Sequence, residues 1–105
     1  MEGKATAPAM AAQRLSALCT GDRERILPTG RRAGSVLRVF DALKARPVSS
    51  LKQVSRISGL SFPTAGSAMD VLVSLGIARE MTGRRRNRVF AYDAYLAILN
   101  EGTEA

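Results

Sequence analysis

The chain has 105 residues, which sets one domain with a single small core as the expectation. Apolar residues make up 46%, charged residues 24% and aromatic residues 5%, with no Trp, which fits a globular chain with a core of Leu, Val, Ile and Ala. There is no His and one Cys, which removes His-dependent catalytic triads, a structural zinc site and an intramolecular disulfide; the net charge of +7 points instead to an anionic partner such as nucleic acid.

In chain order, residues 1–9 read as a flexible lead, too polar and Ala-rich for the apolar region of a signal peptide. A linker helix is predicted from Met10 to Leu27, in a segment 10–30, with Met10, Leu15, Leu18, Cys19 and Ile26 roughly on one face. Pro28-Thr29-Gly30 stops it. This segment looks separable, and its apolar face calls for a partner, which can be a second copy of the chain. Cys19 is expected to be a small packing residue. No apolar run anywhere approaches the ~18 residues of a membrane span, and with a single cysteine nothing points to a disulfide-stapled secreted fold, so a reducing cytoplasm is the expected compartment, with no membrane, metal or cofactor involved.

The remainder, 31–105, reads as one further unit. A helix from Arg32 or Ala33 to Ala45 carries the stripe Val36, Leu37, Phe40 and Leu43, and Arg46-Pro47 ends it. Val48 forms a bridge or short strand. Ser49 or Ser50 caps a short helix through Ser58, with Leu51, Val54 and Ile57 facing inward. Gly59 supplies a left-handed stop, Leu60 plugs the core, and Ser61 caps a helix to about Leu75 with Ala65, Ala68, Met69, Leu72 and Leu75 as its buried stripe. Gly76 ends that helix. Strands are predicted at Ile77–Met81 and Val89–Tyr92, joined by a long loop containing Arg84-Arg85-Arg86-Asn87-Arg88. Asp93 caps a last helix through about Leu99, and the residues from Glu101 onward should fray.

Helix, short helix, glycine turn, helix and hairpin together make a winged helix-turn-helix, mainly α with a small β-hairpin. In that fold the second helix of the turn enters the major groove by its N-terminal end. The candidate DNA-contacting residues are therefore Ser61, Phe62, Pro63, Thr64 and Ser67 at the helix start, and Arg84, Arg85, Arg86, Asn87 and Arg88 on the wing. Charge distribution agrees in part: Arg31 to Leu60 holds seven basic residues against one acidic, whereas after Ala91 only acids remain. Yet Ser61–Leu75 contains no Lys, Arg, Asn or Gln, the usual base-reading side chains, and Asp70 there repels phosphate. Two readings stay open for each feature. The arginine run is a phosphate contact or a solvated loop that protects the sheet edge. Phe62 is an exposed contact or a core plug. Tyr92 and Tyr95 are expected to pack the last helix on the wing rather than stack on bases.

Ser50–Thr64, with its Ser-Leu-Lys-Gln-Val start and Ser-Gly-Leu-Ser-Phe-Pro turn, and Leu75–Leu96, with its basic loop and Phe-Ala-Tyr strand, resemble the C-terminal winged-helix region of bacterial Fic-family proteins. The helix around Asp22-Arg23-Glu24-Arg25 resembles the linker that joins it to the Fic domain. The resemblance implies a non-catalytic fragment of a nucleotidyltransferase. It carries over no catalytic residue, because the family's signature loop requires a His. On this reading the module binds duplex DNA, or it is a protein-interaction or dimerisation module that positions a catalytic domain or its target.

Overall fold

A computed structural model of the chain describes residues 2–83 and 87–103, with side chains described for 10–83 and 87–101. The elements are α1 (Glu2–Ile26), a 3-10 turn (Leu27–Arg32), α2 (Ala33–Ala45), β1 (Val48–Ser50), α3 (Leu51–Ser58), α4 (Phe62–Ser74), β2 (Arg79–Glu80), β3 (Val89–Ala91) and α5 (Asp93–Thr103). Helices α2, α3 and α4 form the three-helix core, and the strands form one antiparallel sheet in the order β1-β3-β2. This is a winged helix, as the sequence predicts. The third strand is Val48–Ser50, which pairs Val48 with Ala91 and Ser50 with Val89.

Helix ends are set by local chemistry. Ser50, not Ser49, caps α3: its hydroxyl accepts from the Gln53 N–H at 3.1 Å, and the Gln53 side chain accepts from the Ser50 N–H at 2.9 Å. Ser49 is instead buried in β1 and donates to the Arg46 carbonyl at 2.6 Å. Gly59 ends α3 at φ 73°, a left-handed conformation that costs glycine no Cβ clash.

The predicted strand Ile77–Met81 shrinks to two residues for a specific reason. The Ile77 N–H donates to Leu72 O at 2.9 Å and the Gly76 N–H to Val73 O at 3.0 Å. These bonds close the end of α4 as a Schellman motif, with Gly76 at φ 77°. Ile77 and Ala78 are therefore buried as the seal of α4, with their N–H groups turned to that helix rather than to a strand.

The core joins Val36, Phe40 and Leu43 of α2 to Leu51 and Val54 of α3, to the α4 stripe, and to Phe90 and Tyr92. Val39 and Ala42 are also buried, because α2 is enclosed on more than one side. Ile57 turns outward, at 44% exposure, contrary to the inward face expected of it.

The helix expected at Met10 begins at Glu2, since Ala-rich sequence favours helix. It also finds its partner within the chain. Ile26 is fully buried in the common core, Leu18 and Cys19 pack against it, and Arg14 pairs with Glu101 of α5. The deepest link is polar: the Tyr92 hydroxyl donates to Asp22 Oδ2 at 2.6 Å, both residues being buried. Arg25 completes the arrangement, pairing with Asp22 at 3.0 Å and donating to the carbonyl of Leu75 at the end of α4. Helix α5 likewise runs beyond Leu99 to Thr103. Its Asp93 carboxylate binds Arg79 at 2.6 Å.

Burial, then the bond to Asp22, raises the Tyr92 phenol above its ordinary pKa. A raised folded-state value means stability that is complete below the unfolded phenol's pKa of about 10 and is lost above it. Tyr92→Phe should therefore lower stability by about 2 kcal/mol near neutral pH. Urea denaturation should show that difference narrowing as pH rises past about 10. An unchanged midpoint at neutral pH would remove Asp22–Tyr92 as a stabilising link.

Candidate nucleic-acid interface

The start of α4 is presented outward. Ser61, Phe62, Pro63, Thr64 and Ser67 are all exposed, and Phe62 at 55% is no core plug. The plug is Leu60, the residue before the cap, which packs against the core. Ser61 has a defined local task. Its hydroxyl accepts from the Thr64 N–H at 3.3 Å and donates to Thr64 Oγ1 at 2.9 Å. Thr64 thus keeps its own hydroxyl proton for an outside acceptor, while Ser61 is occupied as the cap. Pro63 costs nothing here because first-turn N–H groups have no partner within the helix. The turn before α4 is tied by the Ser55 hydroxyl, which donates to Leu60 O at 2.7 Å.

The stem of the wing is closed by the Met81 N–H, which donates to Val89 O at 2.8 Å. Gly83 at φ 63° and Asn87 at φ 54° are both left-handed, and they bracket the loop. Arg84, Arg85 and Arg86 lie outside the described residues. Asn87 is exposed. Arg88 is drawn inward: its guanidinium lies 3.9 Å from Asp70 and 3.8 Å from Glu80, and 5.2 Å from the centre of the Phe90 ring. One arginine thereby compensates the Asp70 carboxylate on the outer face of α4 and ties the wing to that helix.

Arg31 and Arg32 extend this surface, although the sequence shows them only as part of a basic stretch. They stand at the start of α2 across a cleft from Thr64 and Ser67. Both are exposed, and neither forms an ion pair among the described residues. Their signal in the sequence is the excess of positive charge after residue 31; their juxtaposition with α4 is a product of helix packing. Among the described residues no group of His, Cys, Asp and Glu could hold a metal ion, and no helix is long and apolar enough to cross a membrane.

No family model and no curated protein matches the chain. Among solved structures, a MarR family transcriptional regulator from Silicibacter pomeroyi DSS superposes with a TM-score of 0.52 at 19% sequence identity. The match covers 85% of this chain and 60% of that chain, so the chain spans under two thirds of its neighbour's length. At this identity the likeness shows the winged-helix fold alone. The resemblance to Fic-family proteins, with its nucleotidyltransferase parent, is overturned: no Fic family model matches, and the structural neighbour is a MarR-type regulator. The residues that carried the resemblance include the Ser50 and Ser61 caps, Gly59, Gly76 and the hairpin strands, which the winged-helix backbone itself calls for, and the basic loop, of which Arg84, Arg85 and Arg86 lie outside the described residues.

Ser61→Ala should destabilise the protein by about 1 kcal/mol. Hydrogen exchange should locate the loss in the first turn of α4, at the Thr64 amide. Unchanged protection there would show that the cap contributes nothing.

Proposed function

We propose that this chain is a non-catalytic module that binds duplex DNA. The start of α4 supplies the groove-facing element, through Phe62, Pro63, Thr64 and Ser67 on the frame capped by Ser61. The wing supplies phosphate contacts through Arg84, Arg85, Arg86 and Asn87, with Arg88 as the brace that sets the wing against α4. The observation that carries this reading is the exposed hydroxyl-bearing start of α4 beside the guanidinium groups of Arg31 and Arg32, which form no ion pair among the described residues. The fold shared with a transcriptional regulator supports it. With no amide or cationic side chain on α4 itself, sequence discrimination is weak, and the affinity is mainly electrostatic. Phe62 and Pro63 offer apolar contact to thymine methyl groups.

In this reading residues 31–105 carry the DNA contacts, and the helix over residues 10–27, packed on the chain's own core through Leu18, Cys19 and Ile26, joins a second copy through the side that core leaves exposed. The exposed Met10 and Leu27 at the two ends of that segment suit such self-association. A dimer would offer two recognition helices to two half-sites. The compartment consistent with a single half-buried cysteine is the cytoplasm.

A second reading has its own observation. Phe62 at 55% and Val73 at 38% exposure are apolar groups on the outer side of α4, as an anchor for a protein partner would be.

Fluorescence anisotropy with labelled random duplex separates the two. DNA binding predicts dissociation constants of about 1–100 µM, weakening steeply with salt. Replacing Arg84, Arg85 and Arg86 together by Ala should reduce the salt slope by about two to three. No binding at low salt, despite the +7 charge, would overturn the DNA reading and favour the protein partner.

A further inference from the structure

We propose that the cleft between the start of α2 and the outer face of α4 is a phosphate-binding site, with Arg31 and Arg32 as its cationic walls. The cleft has a volume of about 230 Å³ and is lined by Arg31, Arg32, Ser35, Thr64, Ser67 and Ala68. Two guanidinium groups and three hydroxyl groups thus face a space in which no carboxylate takes part. A guanidinium offers paired N–H donors whose fork matches two oxygens of a phosphate, and hydroxyls supply further donors to the remaining oxygens.

The donors are also available. Several carboxylates that could compete for them are engaged by other cations: Asp41 pairs with Lys44 at 3.1 Å, Asp70 and Glu80 with Arg88, and Asp22 with Arg25. Arg31 and Arg32 make no such pair among the described residues, and neither do the hydroxyls of Ser35 and Ser67 make a hydrogen bond there. Thr64 accepts from Ser61 and retains its own proton to donate. Ala68 is the small residue at the cleft wall. It leaves room for the anion, where a longer side chain would fill the space.

The cleft is continuous with the proposed reading face, since Thr64 and Ser67 belong to both. The favoured occupant is therefore a backbone phosphate of duplex DNA, held beside the groove that α4 would enter. This assignment of the occupant rests on the DNA reading; the phosphate site itself does not. A bound phosphate between Arg31, Arg32 and Thr64 would fix the register of α4 along the duplex, which the poorly equipped α4 face cannot do by base contacts alone.

The test uses the full chain, with inorganic phosphate and random duplex as two separate probes. Amide shifts of Ser35, Thr64 and Ser67 are followed by NMR on phosphate addition, and duplex affinity by anisotropy. Variants are Arg31→Ala/Arg32→Ala and, as an equal loss of charge elsewhere, Arg23→Ala/Arg46→Ala. All four arginines are exposed, so thermal melting should confirm an intact fold.

The expected result is phosphate-dependent shifts at the three cleft residues that vanish in Arg31→Ala/Arg32→Ala. Duplex affinity should fall about tenfold or more in that variant, and severalfold less in the control pair. Phosphate shifts with unchanged duplex affinity support the site and assign it to a free phosphate, which counts against a backbone-phosphate occupant alone. Duplex binding that both double variants weaken equally, with no phosphate shift in the cleft, would overturn the site while leaving the DNA reading intact. No response of the cleft residues to either probe overturns the site outright.

Discussion

A phenol that is removed from water must find a hydrogen-bond acceptor, and in this chain the acceptor comes from 70 residues away. Tyr92 sits where β3 ends and α5 begins. Its ring centre is 5.6 Å from that of Phe40 on α2 and 5.2 Å from that of Tyr95 on α5, while its N–H donates to Pro47 O at 2.8 Å. The hydroxyl then reaches Asp22 of α1. One residue therefore meets the first helix, the three-helix core, the approach to β1 and the last helix. Asp22 could not be buried alone. The Tyr92 hydroxyl and the Arg25 guanidinium compensate it, and Arg25 in turn reaches the carbonyl end of α4. Because these bonds share groups, the placement of α1 is coupled to the end of the helix whose start forms the candidate interface.

The two ends of α4 are held by different means, and the difference suits their tasks. Its C-terminus is sealed into the core by Gly76, Ile77 and Ala78, whose N–H groups close the last turn. Its N-terminus is held by the Ser61 cap, the turn from Gly59 and the buried Ala65, which leaves Phe62, Pro63 and Thr64 in solvent. A rigid base with an exposed tip lets a helix offer side chains to a groove without losing its own support. The wing follows the same arrangement. Its stem is paired and braced through Arg88, while Asn87 points outward in a left-handed conformation that Asn accepts readily.

Electrostatics give the candidate surface its character. The outer face of α4 carries one carboxylate, Asp70, and the protein compensates it from the wing with Arg88. Beside that face stand Arg31 and Arg32, across from Thr64 and Ser67, which form no ion pair among the described residues. In the proposed DNA reading, a surface so composed would hold a polyanion through its backbone rather than through its bases, which fits an α4 without Lys, Arg, Asn or Gln.

The local devices were legible in the sequence because each depends on neighbours in the chain. A serine ahead of an apolar stripe caps a helix, a glycine ends a helix where φ must turn positive, and apolar stripes at helical spacing mark buried faces. These defined the helix-turn-helix and, with the β-rich segments, the winged fold, while the exposure of Phe62 at the start of α4 was settled only by the structure. The same devices misdirected the family resemblance, since they mark a helix-turn-helix backbone rather than a family. Tertiary structure decided what depends on distant residues. Ser50 took the cap because Ser49 was buried in a sheet with β3; Ile77 lost its strand because α4 required its N–H; Arg88 turned inward because Asp70, Glu80 and Phe90 met there. Helix α1 was joined to the domain by an acceptor and a donor 70 positions apart, and the arginines at the start of α2 met the hydroxyls of α4 only through helix packing. Periodicity reports which face of an element is apolar, but burial and charge pairing are set by what lies opposite, and only the folded chain brings the two together.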